Sequence, residues 1–266
     1  MSPAYTVRAT PEAREAGAVA LAVASLPESF GPADAATAAD VLVINGRPGW
    51  TLEAAQAVDG GALGIVVVNP APEATDALSA AAETAGTVVV LDQRWASNPA
   101  LSGDQEAVRS TMGRAAMLDS VATARAGTDA GELLADHLAA VVRVTGPLEN
   151  LRLLRSGPHG YAVSARLANG APATLQGILS DARPAGLDLS LLTDDGGASV
   201  AVPEPIAAWP ATVKATGPQG EVLLPTLYES AHRATWRRLK EHLYAGTIPS
   251  DLHRFAVLTE SMSTLS

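Results

Sequence analysis

Three short apolar runs, Val41–Ile44, Leu63–Val68 and Thr87–Leu91, alternate with two Ala-rich segments, Thr51–Val58 and Pro72–Ala85. That alternation leaves few folds open. Each run is rich in Val or Ile, which suits a strand buried on both faces, and the segments between them carry helical spacing. Buried strand, covering helix and next buried strand in succession predict a parallel sheet with right-handed crossovers. Ligands of such sheets bind beyond the carboxyl ends of the strands. Here those ends read Asn45-Gly46-Arg47-Pro48, Asn69-Pro70 and Asp92-Gln93-Arg94-Trp95, so the three tips are the first candidate site.

Upstream, Tyr5–Ala9 reads as a strand. Thr10 at an N-cap, Pro11 at the first helical position and Glu12 in the first turn then start a helix that Gly17 ends. Ala18–Ala24 alternates as a second strand would, and Pro32–Ala39 predicts a short helix. After Trp95 the pattern changes. Asn98–Ser102 reads as a loop, Asp104–Met112 as a helix leading out of the sheet, and Arg114–Ala126 contains a strand. Asp129–Val144 is a helix with the apolar stripe Leu133, Leu134, Leu138, Val141 and Val142, stopped by Gly146-Pro147. Strand-like runs follow at Leu148–Leu154, Tyr161–Leu167, Ala173–Ser180, Leu187–Thr193 and Ala198–Val202, split by turns such as Asn169-Gly170. Tyr228–Ala245 and Ser250–Ser263 read as closing helices. The expected division is a parallel α/β domain over residues 1–112, clipped in its first elements, and an α+β domain with a largely antiparallel open sheet over 113–266.

Composition removes several classes of function. A net charge of −10 argues against nucleic acid and anionic membrane as partners, since both demand a basic face. The one basic cluster, His232 to His242 on a closing helix, is a candidate contact for an acidic partner subunit, or else a solvated face. With no cysteine there is no disulfide, thiolate metal site or thiol nucleophile. The five histidines are scattered, and no metal site is expected. No GxSxG elbow, Walker loop or HExxH motif occurs. No apolar run approaches the length of a membrane span, and Glu12 and Glu15 spoil the positive flank a signal peptide would need before Ala16–Leu26. A cytoplasmic location is the expectation.

The order and spacing of the central strands, with Arg94-Trp95 followed by Asn98-Pro99, resemble the glucose–fructose oxidoreductase, inositol dehydrogenase and MocA-like family (Gfo/Idh/MocA). The resemblance spans nearly the whole chain. It implies a Rossmann-like domain, a second domain whose open sheet shapes a substrate cleft and often mediates oligomers, and hydride transfer between NAD(P) and a sugar-like alcohol or carbonyl.

The family's sharpest motifs are altered. Its GxGxxG turn lets backbone amides reach the cofactor's diphosphate; here the corresponding turn is Arg8-Ala9-Thr10-Pro11-Glu12. Its Glu-Lys-Pro motif, whose lysine is an acid–base residue, is replaced by Val68-Asn69-Pro70, and asparagine delivers no proton at accessible pH. Asn45-Gly46 and Trp50 replace its Thr-Pro…His segment. The expectation drawn is an accessory or structural subunit that has lost NAD(P) and catalysis. It would keep Asn45, Gly46, Asn69 and Pro70 as vestigial strand-tip positions and pair with itself or with a competent paralogue. The alternative is an NAD- or NADP-dependent sugar or polyol dehydrogenase with a remodelled site, in which Asp136 or His137 replaces the lysine. A third reading is a binding module for a sugar or small anion at Arg94, Trp95 and Asn69; the substrate-binding candidates are Arg94, Trp95 and Trp50.

Overall fold

A computed structural model describes residues 4–34, 36–101, 106–206 and 209–265. Part of the predicted loop and helix at Asn98–Met112, residues 102–105, lies outside them. The chain forms two compact units, Met1–Gln93 with Ala231–Thr259, and Arg94–Ser230 with Glu260–Ser266. The closing helices, expected with the second domain, therefore return to the first.

The first unit starts with strand β1 (Tyr5–Ala9) and two short helices, α1 (Pro11–Ala16) and α2 (Val19–Ala24). It continues with β2 (Phe30–Pro32), β3 (Val41–Asn45), α3 (Trp50–Asp59), β4 (Gly64–Val68), α4 (Asp76–Ala85) and β5 (Val88–Asp92). The five strands pair in parallel in the order β2-β1-β3-β4-β5. Every residue of β4 and β5 is buried, as their unbroken Val/Ile runs predict.

The predicted strand at Ala18–Ala24 is the helix α2 instead. A period of two over so short a run also fits a helix whose Val19 and Ala22 face inward, and alanine is the best helix former. The second strand forms at Phe30–Pro32, with Tyr5 opposite Phe30. The short helix predicted at Pro32–Ala39 is absent from the described residues; the Arg8 guanidinium instead holds the carbonyls of Asp34 and Thr37 at 2.9 and 2.6 Å.

At the far edge, no sixth strand pairs with β5 among the described residues. Its unpaired backbone is covered from the closing helices α7 (Ala231–Ala245) and α8 (Asp251–Ser263). Leu91 donates its N–H to Asp251 Oδ2 at 3.0 Å, and its carbonyl accepts from Arg238 at 3.2 Å. Arg238 in turn pairs with Asp251 at 2.7 Å. Below them, the fully buried Asp92 bonds His232 Nδ1 at 2.8 Å and accepts from Thr235 Oγ1 at 3.2 Å. An exposed edge is thus closed by side chains. Trp236 is buried edge-on against Phe30, ring centres 5.0 Å apart. Of the cluster considered for a partner subunit, His232, Trp236 and Arg238 take part in this packing.

The second unit carries α5 (Glu106–Met112), β6 (Met117–Ala124) and α6 (Ala130–Thr145). Then come β7 (Glu149–Gly157), β8 (Gly160–Arg166), β9 (Pro172–Leu179) and β10 (Gly186–Leu192). Strands β11 (Gly197–Pro203), β12 (Thr212–Gly217) and β13 (Gly220–Leu223) complete it. Its eight strands run β13-β12-β11-β10-β6-β9-β8-β7, antiparallel except for the β6–β9 pair. Alternate residues of β8 to β11 are buried, the period-two pattern of a sheet covered on one face. Helix α6 starts where Asp129 Oδ1 accepts from the amides of Gly131 and Glu132 at 2.9 and 3.0 Å. It ends at Gly146, whose φ of 73° lies in the region glycine favours. The fold is therefore a Rossmann-like parallel sheet followed by a largely antiparallel one.

Candidate active site

In the first unit the chain leaves β1 for β2, then returns past β1 to β3, so crossovers depart in opposite directions at β1 and β3. Ligands of open parallel sheets bind at such a switch point. A cavity of about 250 Å³ lies there, lined among others by Thr10, Glu12, Asn45, Arg47, Gly49 and Glu53. Thr10 caps α1 as predicted, its Oγ1 accepting from Ala13 N at 3.3 Å. Asn45 Oδ1 accepts from Arg47 N at 3.1 Å and folds the loop after β3 into a tight turn.

Gly46 is locked between neighbours. Its N–H donates to Val68 O at 2.7 Å, its carbonyl accepts from Ala71 N at 2.6 Å, and a Cβ there would lie 2.4 Å from Pro70 Cα. Asn69 adopts a φ of 50°, a left-handed conformation few side chains tolerate. Asn45, Gly46, Asn69 and Pro70 are thus brought together at two adjacent strand tips.

Two findings at this end have no counterpart in the sequence reading. The carboxylate of Glu73 sits on the N-terminus of α3, accepting from Gly49 N, from Thr51 N at 3.3 Å and from Thr51 Oγ1 at 2.9 Å. The positive end of that helix is therefore filled by the chain's own anion. Trp50, considered as a substrate-binding ring, is 1% exposed; its Nε1 donates to Ala71 O at 2.8 Å and its ring packs on Phe255. Its ring is thus held mainly by packing, although Trp50 also lines the switch-point cavity.

In the second unit, Arg94 and Asp136 do come together. Arg94 Nε lies 3.1 Å from Glu204 Oε2, with a second ion-pair contact from Nη2, and Nη1 is 3.8 Å from Asp136 Oδ2. The guanidinium also stacks 4.7 Å over the ring of Trp95. All three charged side chains are partly buried, Asp136 keeping 22% of its side-chain surface. Burial pushes the Asp136 carboxyl up to about 7; Arg94 opposes the shift, while Glu204 and Glu132 add to it. A carboxyl with that affinity for protons, braced by a guanidinium, is suited to acid–base work at neutral pH.

His137 is one residue further on and points elsewhere, because consecutive helical residues diverge by about 100°. It is fully buried, with Nε2 2.8 Å from Ser120 Oγ and Nδ1 2.8 Å from Tyr161 Oη. Each of these hydroxyls also reaches a backbone carbonyl, Ser120 donating to Asp188 O at 3.1 Å and Tyr161 to Leu133 O at 3.4 Å, so the ring is fixed between two hydroxyls. Burial lowers His137 to about 3, so the ring is neutral at ordinary pH. Trp95 is likewise fully buried, leaving the Arg94 head as the accessible part of that pair. Sequence reasoning missed Glu204: it follows β11 in a Pro-Glu-Pro turn, distant in the chain from both Arg94 and Asp136. Among the described residues no group of His, Asp or Glu is arranged to hold a metal, and no helix is long and apolar enough to cross a membrane.

No protein-family model and no curated protein matches the sequence. Solved structures do. KijD10, a 3-ketoreductase from Actinomadura kijaniata seen in complex with NADP and TDP-benzene, superposes with a TM-score of 0.68 at 13% identity, over 98% of this chain and 88% of that one. The UDP-N-acetylglucosamine 3-dehydrogenase GnnA from Acidithiobacillus ferrooxidans gives 0.67 at 15% identity, over 96% and 86%. A dehydrogenase from Chromobacterium violaceum gives 0.64 at 13%, over 89% and 79%. The likeness establishes the fold. It agrees with the architecture inferred from the family resemblance. It also corrects the expectation that no cofactor is used, because KijD10 of this same fold is seen repeatedly with NADP. The altered β1–α1 turn is therefore insufficient ground for dismissing a dinucleotide.

Proposed function

We propose that the chain is an NAD(P)-dependent oxidoreductase acting on the carbonyl–alcohol couple of a sugar-like substrate, with Asp136 moving the proton. The observation that carries this reading is the partly buried Asp136 carboxyl, raised to about 7 beside Arg94 and Glu204. The fold supports it: a ketoreductase and a dehydrogenase, which work such a couple in opposite directions, share the architecture.

The switch-point cavity, at about 250 Å³, would take the diphosphate–ribose part of a dinucleotide by means other than a glycine turn. Arg47 lines it with an exposed guanidinium that has no ion-pair partner among the described residues. It would meet the diphosphate charge that amides meet elsewhere. Glu12 and Glu53 would accept from ribose hydroxyls, and Thr10 and Asn45 add neutral hydrogen-bonding groups. When the cofactor is bound, its nicotinamide would supply or accept the hydride.

The remaining chemistry belongs to the chain. Ionised Asp136 takes the proton released when the substrate hydroxyl becomes a carbonyl; protonated, it returns that proton in the reverse direction. Arg94 holds the carboxyl in place and stabilises its anionic form, and Glu204 fixes the guanidinium. Asp136 thus stands in for the lysine absent at Asn69.

NADH and NADPH titrations followed by fluorescence, then turnover on a panel of keto sugars, test the proposal. Micromolar binding of one cofactor is expected, weakened about tenfold or more in Arg47→Ala, a loss typical of one charge-assisted contact. Turnover in Asp136→Asn is expected to fall by about 10² to 10⁴ with cofactor affinity unchanged. Failure of both cofactors to bind, or full turnover in Asp136→Asn, would refute it.

A further inference from the structure

We propose that a cavity at one end of the second unit's sheet is a binding site for a nucleoside diphosphate group, held by Arg125 and Arg183 with Trp209 as the surface for the base. The cavity encloses about 560 Å³, within the range of small-molecule sites. Strand register gathers its walls. Strands β6 and β10 are antiparallel with Thr123 opposite Gly186, so Arg125, just past β6, comes beside Arg183, just before β10. Gly186 also pairs with Pro203 at the end of β11, which brings Glu204 to the same end, where Ile206 and Trp209 also line the cavity.

The charges decide the class of ligand. Three guanidiniums, Arg94, Arg125 and Arg183, face two carboxylates, Asp181 and Glu204, in a chain whose net charge is −10. Arg94 is already engaged by Glu204 and Asp136, and Asp181 Oδ1 accepts from Ala126 N at 3.3 Å. Arg125 has no ion-pair partner among the described residues. Arg183 is only 3.6 Å from Asp188, both more than half exposed, a pair too solvated to hold it. Two guanidinium forks remain, and two linked phosphoryl groups are the anion that engages both in bidentate fashion. A lone carboxylate would use one.

The other wall is apolar. Ile206 and Trp209 are 73% and 66% exposed. An exposed indole beside a phosphate site is a stacking surface for a planar base.

The inference deepens the oxidoreductase reading and rests on it for the ligand's role as substrate, but binding is measured without turnover. Calorimetric titration of the full chain with UDP, uridine and inorganic pyrophosphate tests it. UDP is expected to bind with an affinity that falls as salt rises, and uridine at least about tenfold more weakly. The double variant Arg125→Ala/Arg183→Ala, both exposed and without structural contacts beyond the weak Asp188 pair, should lose about a hundredfold in UDP affinity. Trp209→Ala should weaken UDP and leave pyrophosphate unchanged. Absence of UDP binding, or binding intact in the double variant, would overturn the proposal. NADPH titrated into the same variant separates the two readings: unchanged NADPH affinity supports a distinct substrate site, whereas a parallel loss means the cavity reads the cofactor and overturns this assignment. UDP binding by a wild-type chain that binds neither NADH nor NADPH would sustain the diphosphate site as a binding site and refute the oxidoreductase reading.

Discussion

The two candidate ends of this molecule are built from different materials. At the β1 and β3 tips of the first unit, the geometry is backbone geometry: a glycine too close to Pro70 for any side chain, an asparagine at positive φ, and a helix N-terminus already occupied by Glu73. In the second unit the site is made of charged side chains whose partners arrive from three distant segments, at Arg94, Asp136 and Glu204. The first kind of site positions a ligand; the second can exchange a proton. As the proposed oxidoreductase, the chain would draw on each kind of site separately, the first for the cofactor and the second for the proton.

That contrast can be broken most sharply within the first unit's own charges. If the buried Asp92–His232 pair is only an edge clamp for β5, Asp92→Ala should cost about 3–5 kcal/mol by chemical denaturation, since it removes the buried carboxylate that both His232 and Thr235 bond. Cofactor affinity of the folded fraction should hold. Loss of affinity greater than the loss of stability would give that pair a place in binding.

Next in size is His137, neighbour to the proposed acid–base group. Replacing it by alanine removes a buried ring and leaves Ser120 and Tyr161 short of a partner, a cost of about 2–4 kcal/mol. Turnover per folded molecule should change little. A pH-dependent loss of kcat in His137→Ala would move the proton chemistry from Asp136 to its neighbour.

Asp136 itself yields a smaller effect of opposite sign. Its carboxyl rises from 3.8 to about 7 on folding, so between those values the folded chain binds the extra proton and stability falls as pH rises. Above about pH 7 the charge is a standing cost. Asp136→Asn, which keeps the shape without the charge, should therefore stabilise the fold at pH 8 by on the order of 1–3 kcal/mol, and by less at pH 5. Destabilisation at pH 8 would mean that the Arg94 contact outweighs burial.

The smallest effect belongs to Glu73. Glu73→Gln weakens a charged cap on α3 and should cost about 0.5–1 kcal/mol in thermal melts. If it also raises affinity for phosphate or NADPH, the helix end competes for the ligand.

The fold is legible where the chain repeats a period. The Val-rich runs predict the parallel sheet, the alternating runs after Leu148 predict the antiparallel one, and Thr10-Pro11 marks the start of α1. Ala18–Ala24 misleads because small residues satisfy both periods. Arg94 can be singled out as a strand-tip residue, and Asp136, together with His137, through the family resemblance. What distinguishes Asp136 from His137 cannot, since both adjoin the stripe and only packing against Ser120 and Tyr161 takes the histidine inside. Glu204, Glu73 and the Arg125–Arg183 pair carry no local signal at all, because their roles exist only once the fold brings distant residues together.

The most direct measurement is the pH dependence of kcat/KM for alcohol oxidation in the wild type and in Asp136→Asn. The wild type should rise with a single ionisation near pH 7, and the variant should be slow and flat across the same range. A profile near pH 7 that survives in Asp136→Asn would place the proton on another group and contradict this account.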